Sequence, residues 1–267
     1  MKKLRTDWWI YILIFLVSQI TAIALAFAFS LIMHHQVVML GEYMVMALFL
    51  ANVLAVLLFF LFRPHNITWA STLAGLRGSM GRRTLLVFLV SLPLIILTNL
   101  IQEAFFPDLP NLLSDQDMET IMYNPFGLTT VAVLGPLSEE LLFRAGVLNG
   151  LMRKYAHQGV AVSIGLSAAI FSFVHLNPAQ MVVAFVLGIM LGFAYWWTGS
   201  LAAPVCIHVF NNSFACLLGF LSPDDDSLIH FVGGPVGAGL LGLVSLFFLY
   251  LGILAVRKEG LKATEKA

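Results

Sequence analysis

Charged residues are scarce in this sequence. Only 10% of its 267 residues are charged and 60% are hydrophobic, whereas a soluble domain carries roughly 25% charged residues. The composition therefore excludes an ordinary soluble domain and predicts an integral membrane protein that has the lipid bilayer as its partner. Acidic and basic residues balance to a net charge of zero, so there is no basic field to attract nucleic acid.

Cysteine is also scarce. The only two cysteines, Cys206 and Cys216, are ten residues apart in one apolar run. On a single helix they would lie about 15 Å apart, which is too far for a disulfide. We interpret both as core residues that give no information on the redox compartment.

Long apolar runs, in contrast, make up most of the chain. Since about 20 apolar residues cross a bilayer, these runs predict an all-α polytopic fold with eight spans in a single helical domain, residues 1–267. We expect the spans at roughly 8–33, 43–62, 84–105, 125–154, 160–176, 179–197, 201–221 and 236–256. The first is expected to be retained, because no polar cleavage region interrupts its apolar run. Pro93 should kink the third span, and Pro136 should open the backbone of the fourth.

The segments between the spans differ in charge. Basic residues concentrate at both termini, in the loop 63–83 and at residues 153–154, whereas the loop 107–120 and residues 224–226 are acidic. We also expect a short interfacial helix at about 69–76. An even number of spans places both termini on one side, and the positive-inside rule makes the basic side cytoplasmic. The sequence thus predicts a multi-pass protein of a bacterial cytoplasmic membrane with cytoplasmic termini.

Three ionisable residues lie within the otherwise apolar stretch from Phe126 to Met152 of the fourth span, namely Glu139, Glu140 and Arg144. Charges in hydrocarbon are costly, so they usually have partners and usually mark function. On a helix, residues four apart share a face, which places Glu140 beside Arg144. Glu139 lies about 100° further round the helix and outside that pairing. It is therefore a candidate general base. The alternative is a buried structural ion-pair cluster.

Two histidines and an asparagine join this set. His175 is four residues from Phe171, and His208 is four residues from Asn212, so each pair shares a helix face. A single histidine on an apolar helix is more often a core residue, but two of them on spans near a double glutamate indicate a shared site. Glu139 and His175 would hold a water, and His208 and Asn212 would donate to a developing oxyanion. These groups suit acyl hydrolysis without a covalent intermediate.

The three motifs Glu-Glu-x-x-x-Arg, Phe-x-x-x-His and His-x-x-x-Asn, in this order on the fourth, fifth and seventh predicted spans, resemble a known family. It is the CAAX protease and bacteriocin-processing (CPBP, or Abi) family of intramembrane glutamic endopeptidases, which includes the Ras-converting CAAX prenyl endoprotease. The resemblance covers about residues 135–213, within a motif-bearing core that we place at about 122–222.

The resemblance implies a role for each motif residue. Glu139 would activate water with His175, and His208 with Asn212 would form the oxyanion hole. Glu140, Arg144 and Phe171 would be structural or supporting residues. The implied enzyme uses neither a cofactor nor a metal, and it cleaves a membrane-associated peptide or protein.

Three other functions remain open. A zinc-dependent membrane protease would use Glu139, His175 and His208 as ligands, although the sequence has no His-Glu-x-x-His motif. A non-catalytic scaffold or bacteriocin-immunity protein would keep the motifs for packing against a membrane partner. A proton-coupled transporter would use the same residues as a relay, although no inverted repeat is recognisable. The sequence does not predict the substrate, its prenylation or the oligomeric state.

Overall fold

The computed structural model describes residues 7–34, 41–63, 78–110, 115–221 and 227–264. These residues form helices and connecting turns and no strand, so the predicted all-α polytopic class is confirmed. The first helices are α1 (Trp8–His34), α2 (Gly41–Phe62), α3 (Gly78–Phe105) and α4 (Asp115–Tyr123). A composite helix, α5, covers residues 125–154. It is followed by α6 (Val160–Phe173), α7 (Pro178–Thr198), α8 (Ala202–Leu221), α9 (Leu228–Phe231) and α10 (Pro235–Thr264).

Six of the described helices are long and apolar enough to cross a membrane. They contain the segments Trp8–Met33, Tyr43–Phe62, Gly81–Phe105, Pro178–Thr198, Ala202–Leu221 and Pro235–Gly260. The other two predicted spans correspond to α5 and to α6, which has only 14 residues. At 1.5 Å per residue, α6 is about 21 Å long and so shorter than the hydrocarbon core. The count of eight spans and the side of the termini stay predictions.

Helix α5 alternates between two helical geometries. Its α-helical parts are Pro125–Thr129, Gly135–Glu140 and Asn149–Lys154. Its π-helical parts are Thr130–Leu134 and Leu141–Leu148. The opening that Pro136 predicted is thus present as the first π-helical part. The second, on the other side of the glutamates, was not predicted.

Two predicted boundaries were wrong. The acidic segment 107–120, predicted as a loop, contains the start of α4. Met118, Ile121 and Met122 lie on one face of this helix at helical spacing, and Ile121 is buried. The third helix begins at Gly78 instead of Thr84. The predicted interfacial helix at 69–76 lies outside the described residues.

The predicted fifth span also ends early, at Phe173 instead of Leu176. The N–H of His175 donates to the carbonyl of Ser172, three residues back, which tightens the end of the helix. Leu176 then has a positive φ of 54°. Asn177 is extended, as a residue before proline prefers. His175 therefore lies in the turn after α6 and not on the helix.

The chain divides into two compact units, and the single-domain prediction is not tested by this division. Unit 1 comprises Met1–Thr68, Asn111–Ser167 and His208–Cys216. In it, α1 packs against α2 and against α5. Gly146 and Gly150 allow the close approach of α5 to α1, because a Cβ on either would overlap Tyr11 or Trp8. The Tyr11 hydroxyl also donates to the carbonyl of Phe62, at the end of α2.

Unit 2 comprises Trp69–Pro110, Ala168–Ile207 and Leu217–Ala267. Helix α3 contacts both α7 and α10, and Gly252 of α10 lies directly against Val90. The Glu103 carboxylate accepts hydrogen bonds from the backbone N–H groups of Leu228 and Ile229. A glutamate near the end of α3 thereby satisfies two otherwise unpaired donors at the start of α9.

Candidate active site

The two neighbouring glutamates of α5 have different surroundings. Glu140 and Arg144 are both fully buried, and Glu140 Oε2 lies 3.1 Å from Arg144 Nε. The pairing predicted from the four-residue spacing is therefore present in the structure. The side chain of Glu139 is 20% exposed and outside this ion pair. One carboxylate is enclosed and paired, while its neighbour stays accessible.

His208 of α8 bridges the two glutamates. Its Nδ1 lies 2.8 Å from Glu140 Oε1, and its Nε2 lies 3.8 Å from Glu139 Oε2. A carboxylate only accepts, so Nδ1 is the donor of the shorter contact. The longer contact exceeds the usual hydrogen-bond distance of about 2.7–3.2 Å. The bond to Glu140 therefore orients the ring of His208 so that its other nitrogen, Nε2, faces Glu139.

Asn212 lies one turn further along α8 and contacts the first π-helical part of α5. Its Nδ2 donates to the carbonyl of Val131 at 2.9 Å. That carbonyl has lost its usual helical donors, because the N–H of Gly135 bonds to Thr130 and Pro136 has no N–H. An amide NH₂ has two donor hydrogens, so this bond leaves Asn212 a second one.

The structure therefore refines the predicted donor pair. His208 and Asn212 were predicted to share one target, and each is now seen to have a separate protein partner in α5. Because Nδ1 of His208 is bonded to a carboxylate, donation from Nε2 requires the imidazolium form. Both side chains nevertheless contact α5, His208 at the two glutamates and Asn212 at the π-helical part that precedes them.

Asn52 is a site-adjacent residue that the motifs did not reveal. It lies in the middle of α2 and is buried, and its Oδ1 accepts a hydrogen bond from the hydroxyl of Ser138. Its Nδ2 donates to the carbonyl of Leu48, one turn back in α2. The available signal was an amide in an otherwise apolar span, since polar groups in membrane helices usually have interhelical partners.

His175 and Phe171 belong to unit 2. His175 Nδ1 lies 2.7 Å from the carbonyl oxygen of Phe171, and the two rings meet edge to face at 4.8 Å. A carbonyl only accepts, so Nδ1 is the donor, and in the neutral ring Nε2 is then an acceptor. The predicted contact between the two residues is present although the helix ends between them. A neutral acceptor nitrogen suits the predicted role of holding a water.

The predicted site residues are thus distributed over both units. Unit 1 brings together Glu139, Glu140, Arg144, His208 and Asn212. The joint use of a water by His175 and Glu139 stays a prediction. Among the described residues, no group of three or more His, Cys, Asp or Glu side chains is arranged to hold a metal ion.

Comparison with known proteins gives a family for this region. Residues 122–214 match the family model described as "Type II CAAX prenyl endopeptidase Rce1-like". This region is similar to Rce1-like CAAX proteases. The resemblance predicted from the three motifs is confirmed. All seven predicted site residues have numbers within the matched range.

Two curated bacterial relatives match over 103 residues each. The "Membrane-embedded CAAX protease MroQ" of Staphylococcus aureus (strain USA300) is 29% identical, over 38% of this chain and 42% of that protein. The "Putative membrane peptidase YdiL" of Bacillus subtilis (strain 168) is 23% identical, over 38% of this chain and 40% of that protein. The match thus spans about two fifths of each relative's length. No solved structure matches. Together with the apolar helices, these likenesses support a multi-pass membrane peptidase.

Proposed function

We propose that this chain is an intramembrane endopeptidase of the glutamic type. It hydrolyses a peptide bond at or near the membrane with a water activated by Glu139 and His175, and His208 with Asn212 stabilises the oxyanion. The observation that carries the proposal is the arrangement around His208, which lies 2.8 Å from the enclosed Glu140 and 3.8 Å from the accessible Glu139. A purely structural cluster would have no need to keep one carboxylate partly exposed and outside the close ion pair with Arg144.

The proposed reaction transfers one proton by way of Glu139. Glu139 takes one proton from the water, and the water oxygen forms a bond to the peptide carbonyl carbon. By the family resemblance, His175 helps to hold that water, and its Nε2 accepts a hydrogen bond from the second water hydrogen, which stays on the oxygen. Glu139 then returns its proton to the leaving amide nitrogen as the C–N bond breaks. No bond forms between enzyme and substrate at any stage.

Two hydrogen-bond donors on α8 would stabilise the oxyanion of this reaction. With a hydrogen on both ring nitrogens, His208 donates from Nδ1 to Glu140 and from Nε2 to the oxyanion, and Asn212 supplies its second amide hydrogen. Preorganised donors of this kind lower the barrier because they are already aimed at the developing charge. Arg144 neutralises Glu140, and Glu140 in turn holds the ring of His208.

The substrate is proposed by class only. The site residues lie on apolar helices, so a substrate must be a peptide or protein segment that enters or lies against the bilayer. The names of the relatives concern those proteins, and both come from bacteria. We accordingly propose a bacterial cytoplasmic membrane as the location.

A comparison of membrane peptides tests the function in cells. Membranes from cells that produce wild-type protein should contain cleavage products that disappear with Glu139→Ala. Glu119→Ala is the matched control, because this glutamate is exposed on α4 and makes no contact with the site. Identical peptide sets from wild-type and Glu139→Ala cells, at equal protein levels, would contradict the proposal.

A further inference from the structure

Asn52 lies outside the three motifs, yet it contacts the residue that precedes the two glutamates. Asn52 and Ser138 are both buried, and the Ser138 hydroxyl donates to Asn52 Oδ1. The same hydroxyl oxygen lies 2.9 Å from the carbonyl oxygen of Gly135, at the start of the same helical turn. A link therefore runs from the middle of α2 to the turn of α5 that carries Glu139.

The identity of the two Asn52 side-chain atoms follows from their partners. Nδ2 lies 2.8 Å from the carbonyl oxygen of Leu48, where only a donor is favourable. Oδ1 must then be the atom that faces Ser138. The bond to Leu48 anchors the amide to its own helix, so the amide cannot rotate freely away from Ser138.

The helical turn held by this link lies between two π-helical parts of α5. Gly135–Glu140 is six residues long, with π-helical Thr130–Leu134 before it and π-helical Leu141–Leu148 after it. Each π-helical part shifts the angular position of the residues that follow, and such parts occur frequently at functional sites. The angle at which Glu139 and Glu140 leave the helix is thus not determined by a continuous α-helix.

That angle decides which carboxylate meets which partner. Glu140 contacts both Arg144 and His208, while Glu139 lies 3.8 Å from the other nitrogen of His208. A rotation of the turn by one residue, about 100°, would exchange these surroundings. Gly135 contributes to the same junction, since a Cβ there would lie 3.9 Å from Asn52 Oδ1.

We infer that Asn52 is a positioning residue, which acts through Ser138 to fix the rotation of the Gly135–Glu140 turn and so aims Glu139 at the water. This inference rests on the proposed function for its catalytic consequence. Asn52 touches neither substrate nor water in this account. Its effect belongs to turnover and not to substrate affinity.

A set of four variants tests the inference by kinetics. Asn52→Ala and Ser138→Ala should each lower kcat by on the order of tenfold to a hundredfold, because small displacements of catalytic groups have effects of this size. KM should stay unchanged. The double variant should lose no more than either single variant, because both remove the same link. Ser138→Ala carries the test by itself if Asn52→Ala does not fold.

Asn99→Ala is the matched control. Asn99 is also an amide within a membrane helix, and its Nδ2 donates to Ile95, four residues back, as Asn52 does to Leu48. Asn99 lies in unit 2, outside the unit that contains Asn52 and Ser138. Its replacement should therefore leave kcat unchanged. Equal kcat values for Asn52→Ala and Asn99→Ala, or a double variant in which the two losses multiply, would overturn the inference.

A labelling experiment measures the rotation of the Gly135–Glu140 turn without requiring cleavage of a substrate. Glu139→Cys is introduced together with Cys206→Ala and Cys216→Ala, and the rate of reaction of the new thiol with a small thiol reagent is measured. Addition of Asn52→Ala or Ser138→Ala should change this rate in the same direction and by the same factor, and addition of Asn99→Ala should not. An unchanged rate in all three backgrounds would overturn the positioning role.

The two experiments separate the inference from the proposed function. If wild-type protein forms no more product than Glu139→Gln, the proposed function fails. The labelling rates alone then test whether Asn52 fixes the rotation of the Gly135–Glu140 turn. If wild-type protein cleaves substrate but the kinetic and labelling effects are absent, the function stands and the role of Asn52 is wrong.

Discussion

At the scale of single residues, the account depends on how differently Glu139 and Glu140 are surrounded. Glu140 is fully buried between Arg144 and His208, and Glu139 remains partly exposed beside the same histidine. A buried charge without its partner is far more costly than an exposed one. The two glutamates should therefore respond to substitution in different ways, Glu140 through stability and Glu139 through chemistry.

Removal of either member of the buried pair should cost folded protein. Glu140→Ala and Arg144→Ala each leave the other charge without its partner, which is expected to destabilise the protein by about 3–5 kcal/mol. Thermal unfolding in detergent is the measurement, and Glu119→Ala is the control for loss of an exposed glutamate. If the Glu140 and Arg144 variants have the same melting temperature as the control, the pair is not structural.

Asn212 should affect both stability and turnover, and the two effects can be separated. Asn212→Ala removes a donor to the oxyanion, so turnover should fall by about 10²–10³. It also leaves the Val131 carbonyl unsatisfied, at about 1–3 kcal/mol. Addition of Pro136→Ala restores a backbone N–H near that carbonyl. The double variant should regain thermal stability without regaining turnover, and full turnover in it would remove Asn212 from the oxyanion hole.

At the scale of helices, close approach between α1 and α5 holds the glutamate-bearing helix in place. A Cβ on Gly146 would lie 2.3 Å from the ring of Tyr11, a buried residue whose hydroxyl is bonded to Phe62. Two helices can pack this closely only where a side chain is absent. The glycines of α5 thus contribute to the site because they allow α1 to pack directly against the helix that carries the glutamates.

Gly146→Ala should therefore destabilise the protein although alanine is the better helix former. Gly165→Ala is the matched control, because a Cβ there meets no atom within 4 Å. The control should be neutral or more stable by up to about 1 kcal/mol, from helix propensity alone. A Gly146→Ala protein that melts no lower than the control would show that α1 and α5 can separate without cost.

Helix existence could be predicted from the sequence, but the local geometry at the site could not. Apolar length is enough to find α1 or α2, because the bilayer fixes how many residues a span needs. The helical spacing likewise predicted the contact between Glu140 and Arg144. The π-helical part Leu141–Leu148 contains no proline to reveal it, and the end of α6 at Phe173 is followed by a positive φ at Leu176 that the sequence did not indicate.

The role of Asn52 illustrates the same limit. A motif search weighs residues that are close in sequence, and Asn52 is 86 positions from Ser138. Its partner can be identified only when α2 and α5 are placed side by side. The amide in an apolar span indicates that some partner exists, and only the fold reveals which one.

At the scale of the whole molecule, the composition and the family resemblance both support a membrane peptidase. The described residues include helices that are apolar and long enough to cross a bilayer, and residues 122–214 match an Rce1-like family model. Helices α1, α2 and α3 lie before the matched range. In unit 1, α1 and α2 nevertheless contact the helix that carries the glutamates. By these contacts, α1 and α2 hold the glutamate-bearing helix α5 in position.

The predicted orientation places both termini in the cytoplasm, because basic residues concentrate in the segments on that side. Fusion of a reporter that fluoresces only in the cytoplasm to either terminus should give fluorescent cells. A phosphatase that is active only outside the cytoplasm should be inactive at both positions. Phosphatase activity at both termini would contradict the orientation, and activity at only one terminus would contradict the even number of spans.

The central claim is that Glu139 activates the water, and one measurement tests it most directly. Purified wild-type and Glu139→Gln proteins in lipid vesicles are compared for the rate of cleavage of a substrate found in the cellular comparison. Loss of general-base catalysis should lower kcat by at least about 10²-fold, with KM and the melting temperature unchanged. A Glu139→Gln protein that cleaves at the wild-type rate would contradict the account.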